Sequence, residues 1–305
     1  MSLLLEQANL LSQDQLRAGV IEVYVQNSPI LQRLDFLNLR GNAYSYNMEG
    51  ALPGVAFRGV NESYTPSTGV INPQVESLKI AGGELDVDAH IIRSRGPQVR
   101  AAHEAMKIKA LARSLNKAFI DGDSTVDPRE FDGLNVRLTG TKKILAGAGG
   151  AALTQDMVDD LLAEVPGANA ILCGTGGHQL LTKLLRASAQ VTITTDEYGM
   201  QIVNYNGIPI LNVGKDATEA EILDFDEDPG DATFDTTSIY AVRFGMAEAE
   251  TDLFGIQNEG GMLVKDLGEL ETKPAVRTRV EWDTSLVLAS NDCAARLYGI
   301  TNAIA

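Results

Sequence analysis

A chain of 305 residues is long enough to bury a sizeable core, in one large domain or two coupled ones. Its 41 acidic residues outweigh 25 Lys and Arg, and the net charge of −16 excludes a surface built overall to grip nucleic acid, because phosphate binding needs cations that displace counterions. Cys173 and Cys293 stand far apart with no Cys-x-x-Cys pair, and with three histidines in all this excludes a zinc cluster of ordinary spacing; two reduced, partly buried thiols are expected.

The chain begins Met1-Ser2-Leu3-Leu4-Leu5, without a basic leading region or a long apolar core, so no signal peptide is expected. No stretch approaches the ~18 uncharged apolar residues of a membrane span. A soluble protein made in the cytosol is the expectation. Leu10, Leu11, Val20, Ile21 and Tyr24 suit amphipathic helical turns. Ile30, Leu31, Leu34, Phe36, Leu37 and Leu39 then form a patch too apolar to leave in water. Either a partner surface or the main domain must cover it.

Ala43 to Met48 reads as a strand, and Gln74 to Ile80 as its return. Between them, Gly59 to Gly69 is a polar, turn-rich tip that carries Phe57 and Arg58 at its start and Tyr64 within it. Gly82-Gly83 reads as a further turn, followed by a half-buried strand with Leu85, Val87, Ala89 and Ile91 on one side. The whole is a long β-hairpin with a mobile tip. A lone hairpin is marginal in water, so this one is expected to lean on something else.

Pro97 marks a helix start, and Gln98 to Phe119 contains neither Gly nor Pro. Met106, Ala110, Leu111, Leu115, Ala118 and Phe119 mark its apolar face. Arg100, Lys107, Lys109, Arg113 and Lys117 make it basic in an acidic chain, either as a solvated face or as one paired with an acidic neighbour. The helix stops at Asp121-Gly122-Asp123, and Phe131 to Val136 reads as a turn and an extended piece. The small-residue run Ala146 to Ala152 reads as a flexible connection between two lobes.

The second lobe opens with Thr154 as an N-cap and Asp156 in the first turn of a helix reaching about Glu164. A buried strand follows at Ala170 to Cys173, then a helix near Gln179 to Ala187. Strands are expected at Val191 to Thr194, Gln201 to Val203, Ile208 to Leu211 and Ile239 to Phe244, with an acidic loop from Asp224 to Asp231. Val276, Thr278, Val280 and Trp282 alternate with Arg277, Arg279, Glu281 and Asp283, which predicts a strand over Val276 to Ser285 with a charged face paired across a sheet. Cys293 to Ile300 is a last apolar element.

Chemical motifs are few. Gly174-Thr175-Gly176-Gly177-His178 sits between a strand and a helix, where backbone N–H groups can bind anions. No Lys-Ser or Lys-Thr follows the glycines, and Gln179 occupies the third-glycine place of a dinucleotide fingerprint, so a tight turn is expected. His178 has no nucleophile motif beside it, and His90 and His103 are isolated. Asp121, Asp123, Thr125, Asp127 and Asp132 loosely resemble a calcium loop, but Val126 replaces its turn glycine. Asp224, Asp226, Asp228 and Asp231 lack that pattern too. Solvated acidic turns are expected at both places. No catalytic residue, cofactor or metal is expected. The chain reads as built for contact rather than turnover.

The order of elements resembles the Hong Kong 97-like major capsid proteins of tailed bacteriophages, over essentially the whole chain. Ala110 to Asp123 followed by Phe131-Asp132-Gly133-Leu134 is similar to the end of that family's spine helix and the start of its peripheral lobe. Ala170 to Cys173 and Tyr205-Asn206-Gly207-Ile208-Pro209-Ile210 are similar to the axial lobe, and Arg279 to Asp283 with Cys293 to Leu297 to the closing strand. The resemblance implies an α+β fold divided as N-terminal arm 1–40, extended loop and adjoining strand 41–92, spine helix and first part of the peripheral domain 93–150, axial domain 151–262, and returning peripheral strand with C-terminus 263–305. It further implies self-assembly into pentamers and hexamers, and an icosahedral head shell around double-stranded DNA that is not bound by sequence. An acidic wall would keep that polymer from sticking. Portal, scaffolding or decoration proteins are the implied further partners, with no membrane, and the virion is the implied location after assembly in the host bacterial cytoplasm.

Subunit contacts are expected at Ile30, Leu31, Leu34, Phe36, Leu37, Tyr44, Tyr46, Phe57, Arg58, Tyr64, Lys107 and Arg113. The chain starts almost at the arm, which implies a separate scaffold or none. Lys79 is the only Lys between Gly41 and Arg100 and lies outside the tip, so no loop crosslink is expected. The nearest rival is an encapsulin-like shell with an enzyme cargo. A small-molecule or nucleotide enzyme built on Gly174 to Gly177 and a tail-tube or decoration protein are further rivals.

Overall fold

The computed structural model describes residues 28–96, 98–188, 192–195, 201–230, 233, 235–247 and 251–304. The amphipathic turns expected before residue 28, the start at Pro97 and the position of Val191 lie outside these residues.

The described chain opens with α1 (Pro29–Arg33), which Ser28 caps by accepting a hydrogen bond from the Leu31 N–H. Strand β1 (Phe36–Leu39) follows, then β2 (Ala43–Ala51) and β3 (Val70–Ser77), which pair antiparallel as the expected hairpin. Strand β4 (Lys79–Asp88) leads into α2 (Ala89–Arg95) and the spine helix α3 (Gln98–Asp121). After the short α4 (Leu134–Arg137) come β5 (Lys143–Leu145), β6 (Ala151–Leu153), α5 (Gln155–Ala163), β7 (Ala170–Cys173) and α6 (Thr175–Ala187). The strands that follow are β8 (Thr192–Thr195), β9 (Gln201–Tyr205), β10 (Ile208–Asn212) and β11 (Thr236–Val242). The chain closes with β12 (Leu253–Asn258), β13 (Leu263–Glu269), β14 (Ala275–Leu288) and β15 (Ala294–Ile304).

Two larger sheets carry the fold. In the five-stranded one, β14 pairs antiparallel with β4, β13 and β12, and β12 pairs in parallel with β1. The eight-stranded one runs β5-β15-β11-β7-β10-β9-β8, with β6 also on β15. The alternation read in β14 is real: Arg277 lies opposite Asp86 and Arg279 opposite Glu84, and both pairs are bonded through their side chains. Trp282 of β14 is 1% exposed, packs 5.0 Å from the Phe36 ring and donates its indole N–H to Gln257.

The spine helix lacks breakers throughout, and its buried positions Ile108, Leu111, Ala112, Leu115 and Phe119 recur at helical spacing. Met106, expected on that face, is instead 65% exposed, and Ile108 takes the buried stripe. The main core joins this face to α1, β14 and part of the second sheet. A separate cluster packs α5 and α6 onto β7, β11 and β15.

Four expectations need correction. Gly82-Gly83 is no turn but the middle of β4, where a Cβ on Gly82 would lie 2.3 Å from the Val280 carbonyl oxygen. Glycine there permits close approach of two strands rather than a change of direction. Ile91 belongs to α2 rather than to the strand, because Asp88 caps that helix at the His90 N–H. The run Ala146 to Ala152 is not a free connection: Lys143–Leu145 just before it and Ala151–Leu153, which takes in its end, both pair with β15. Phe131 to Val136 likewise enters α4 instead of an extended piece.

Candidate assembly surfaces

The hairpin is the most exposed apolar feature. Leu52, Val55, Phe57 and Val60 are each at least 80% exposed, and Tyr64, Ile71 and Val75 more than 60%. The tip holds its shape by local bonds. Gly59 N–H donates to the Glu62 carboxylate at 2.8 Å, and Ser67 Oγ donates to the Gly54 carbonyl at 2.9 Å. The Arg58 guanidinium donates to the Glu62 carbonyl and lies 5.3 Å from the Tyr64 ring centre. An organised loop that displays its large apolar side chains to water is a contact surface in waiting.

The hairpin root is fastened to the body. Tyr44 and Tyr46 stack with ring centres 5.9 Å apart, and Tyr44 meets Phe254 edge-on. Arg137 of α4 grips Glu76 of β3 with its two terminal guanidinium nitrogens, at 2.5 and 2.9 Å. Burial, and then the Glu76 carboxylate, raise the Tyr46 phenol above its ordinary pKa.

The basic face of the spine helix is largely paired within the chain. Arg100 bonds Glu104 and Asp266, Arg113 bonds Glu219, and Lys117 bonds Asp216. Asp216 also accepts from Thr218 and Ala220, and these bonds, that of the Thr218 hydroxyl foremost, hold its carboxyl at about 2. At the helix C-terminus, burial and then nearby Glu227 raise Asp121 to about 6.

The Gly174 turn is filled by protein. A Cβ on Gly174 would stand 1.9 Å from the Leu223 carbonyl oxygen, and one on Gly176 2.3 Å from the Phe225 ring. The segment 222–225 therefore lies on the first turn of α6, where a phosphate would sit in a nucleotide site. His178 is held below its usual pKa by burial. Burial also raises both thiols, Cys293 to about 12 and Cys173 further. Among the described residues no His, Cys, Asp and Glu group is arranged to hold a metal ion, and no helix is long and apolar enough to cross a membrane.

Residues 12–158 match the family model for major capsid protein GP7. The fold is similar to the capsid of cyanophage A-1(L), at a TM-score of 0.63 and 16% identity over 90% of this chain and 93% of that one. It is also similar to the capsid of an empty GTA particle, at 0.59 and 14% over 90% of each chain. These likenesses give the chain the fold of tailed-phage capsid proteins. That is the expected Hong Kong 97-like fold. The same architecture recurs in the holo-SrpI encapsulin complex of Synechococcus elongatus PCC 7942, at 0.61 and 16% identity over 90% of this chain and 87% of that one. No curated protein matches the sequence.

The residues expected at subunit contacts fall into four groups. Ile30, Leu31, Leu34 and Phe36 are each 6% exposed or less and belong to the chain's own core, which corrects their assignment to a neighbour. Of the two covers left open by the sequence, the main domain provides theirs. Leu37, Tyr44 and Tyr46 are half-buried at the hairpin root, packed on Phe254 and its neighbours. Arg113 is engaged by Glu219, and the stem of Lys107 crosses Gly83. Phe57, Arg58 and Tyr64 alone stand in the open, on the tip. Leu52, Val55 and Val60 join them there and were missed; the available signal was large apolar residues among Gly and Pro in a stretch too broken to be a core strand.

Proposed function

We propose that the chain assembles with copies of itself, as pentamers and hexamers, into a closed icosahedral shell around double-stranded DNA, and that the hairpin tip lies on a neighbouring copy. The observation that carries this reading is the set of exposed apolar side chains at Leu52, Val55, Phe57 and Val60 on a loop with its own internal hydrogen bonds. Nothing in the described chain covers them, while the root is fastened firmly enough to hold the tip outward. Burying even half of such a patch at ~25 cal/mol per Å2 gives a modest gain per contact, which repetition around a symmetric shell makes cooperative.

Phe57, Arg58 and Tyr64, with Leu52, Val55 and Val60, are the proposed contact residues. Portal and scaffolding or decoration proteins are the proposed further partners, the last because the phage G structure of the same fold pairs major capsid proteins with decoration proteins. The virion is the proposed location, after assembly in the cytoplasm of a bacterial host. The absence of a catalytic role is part of the same proposal.

The test is deletion of the tip, residues 53–68, followed by sedimentation and negative-stain microscopy. The intact chain is expected to form rings or closed shells and the deleted chain to remain small with its fold retained. Shells of undiminished yield from the deleted chain would overturn the reading. A second reading, a nanocompartment around a protein cargo, has the encapsulin likeness in its favour. Particles whose contents are protein rather than nucleic acid would decide for it.

A further inference from the structure

The overall charge hides a sharp segregation. Residues 89–120 hold seven Lys and Arg against a single acid, Glu104, while the remainder of the chain holds 18 against 40. At the C-terminal end of α3, Arg113 and Lys117 are neutralised by Glu219 and Asp216, and Arg100 is neutralised by Glu104 and Asp266. Arg93, Arg95 and Lys109 are exposed and form no ion pair among the described residues, and exposed His90 and His103 accompany them. On α3, Ala102, Met106 and Lys109 recur at intervals of four and three and continue to Arg113, so they share one outward line. Arg93 and Arg95 lie in the last turn of α2, where the helix dipole favours cations without cancelling their charge.

We propose that the exposed cations of this segment, Arg93 and Arg95 on α2 and Lys109 on α3, with exposed His90 and His103 among them in sequence, form the stripe by which the shell wall touches the phosphates of the enclosed duplex. This rests on the shell reading above. A wall that is acidic elsewhere repels the polymer, so contact concentrates where exposed cations cluster in a segment that holds a single acid, and phosphate contacts carry no sequence preference. Met106 stands 65% exposed in the same line, which makes contact with a second copy the competing outcome.

The test measures binding of a fluorescent 30-base-pair duplex to the purified full chain from 25 to 200 mM KCl, with sedimentation of the same samples. Arg93→Gln/Arg95→Gln/Lys109→Gln is expected to weaken binding at least tenfold at 50 mM salt. It should also make the slope of log K against log salt shallower by about 3, near 0.9 per lost contact. Lys183→Gln/Arg186→Gln/Lys265→Gln, which removes the same charge elsewhere, should change affinity less than twofold. Should the first triple lose its thermal transition, Lys109→Gln alone carries the test, with a slope change of about 1. No duplex binding at 25 mM salt, equal losses in both triples, or failure of the stripe variant to assemble while duplex binding is unchanged would each overturn the inference. If the wild-type chain binds duplex through the stripe yet never forms rings or shells, the shell reading fails instead.

Discussion

Arg137 and Glu76 meet across the root of the hairpin as a two-pronged ion pair, with side chains only 10% and 19% exposed. One belongs to α4, beyond the spine helix, and the other to the hairpin's returning strand. The pair therefore ties the hairpin root to the body, alongside the Tyr44 contact with Phe254. Replacing Arg137 by Met leaves Glu76 charged and part-buried, and the cost should be about 2–3 kcal/mol, below the range for fully buried pairs. Chemical denaturation checks this. The double variant Arg137→Met/Glu76→Leu should be more stable than Arg137→Met alone.

Phe57 separates assembly from folding. It is fully exposed, so Phe57→Asp should shift the unfolding midpoint by no more than about 0.5 kcal/mol equivalent. The same variant should sharply reduce the yield of rings or shells in sedimentation. A large loss of stability would show that the tip packs on its own chain.

Gly174→Ala should destabilise by about 2–3 kcal/mol, because the new methyl group meets backbone, which cannot yield as a side chain can. Gly260→Ala is the control. A Cβ there meets nothing within 4 Å, and thermal melts should show little change.

Asp121 makes stability depend on pH. Its carboxyl is raised from the ordinary 3.8 to about 6, so the folded chain holds this proton more tightly than the unfolded one. The penalty for ionising it is absent below about pH 4 and complete above about pH 6. Asp121→Asn should therefore stabilise the protein at pH 8 by up to about 3 kcal/mol and have little effect at pH 4. Denaturant midpoints of both chains at the two values provide the check.

The elements legible in the sequence were those with an unbroken period. The alternation of Val276 to Trp282 specifies β14 down to its cross-strand ion pairs with Asp86 and Glu84, and the breaker-free run from Gln98 specifies the spine helix. Strand β12 was not legible. Gly255 interrupts its apolar run, and the reason for that glycine is the Phe36 ring, which a Cβ would approach to 2.4 Å from a strand more than 200 residues away. The same distance effect hid the cover over Ile30 to Phe36. Local pattern shows that a greasy segment needs shelter, but only tertiary contact shows whose. Gly82 and Gly83 read as a bend for the same reason, since nothing nearby in the chain announces that Val280 lies against them. The tip residues were only partly legible, because exposed apolar side chains in a broken stretch carry no periodicity.

Strand β15 lies inside the eight-stranded sheet, with β11 along one edge and β5 and β6 along the other. During synthesis these residues, 294–304, leave the ribosome after every strand they bridge. Until they arrive, β11 and the short β5 and β6 have no common partner, and the second core cluster lacks Ala295, Leu297 and Ile300. A prematurely terminated polypeptide thus cannot complete the eight-stranded sheet or its core. If the chain assembles as proposed, strand order would act as an inspection step, since a polypeptide that stops short of this stretch would lack a finished sheet to offer a second copy.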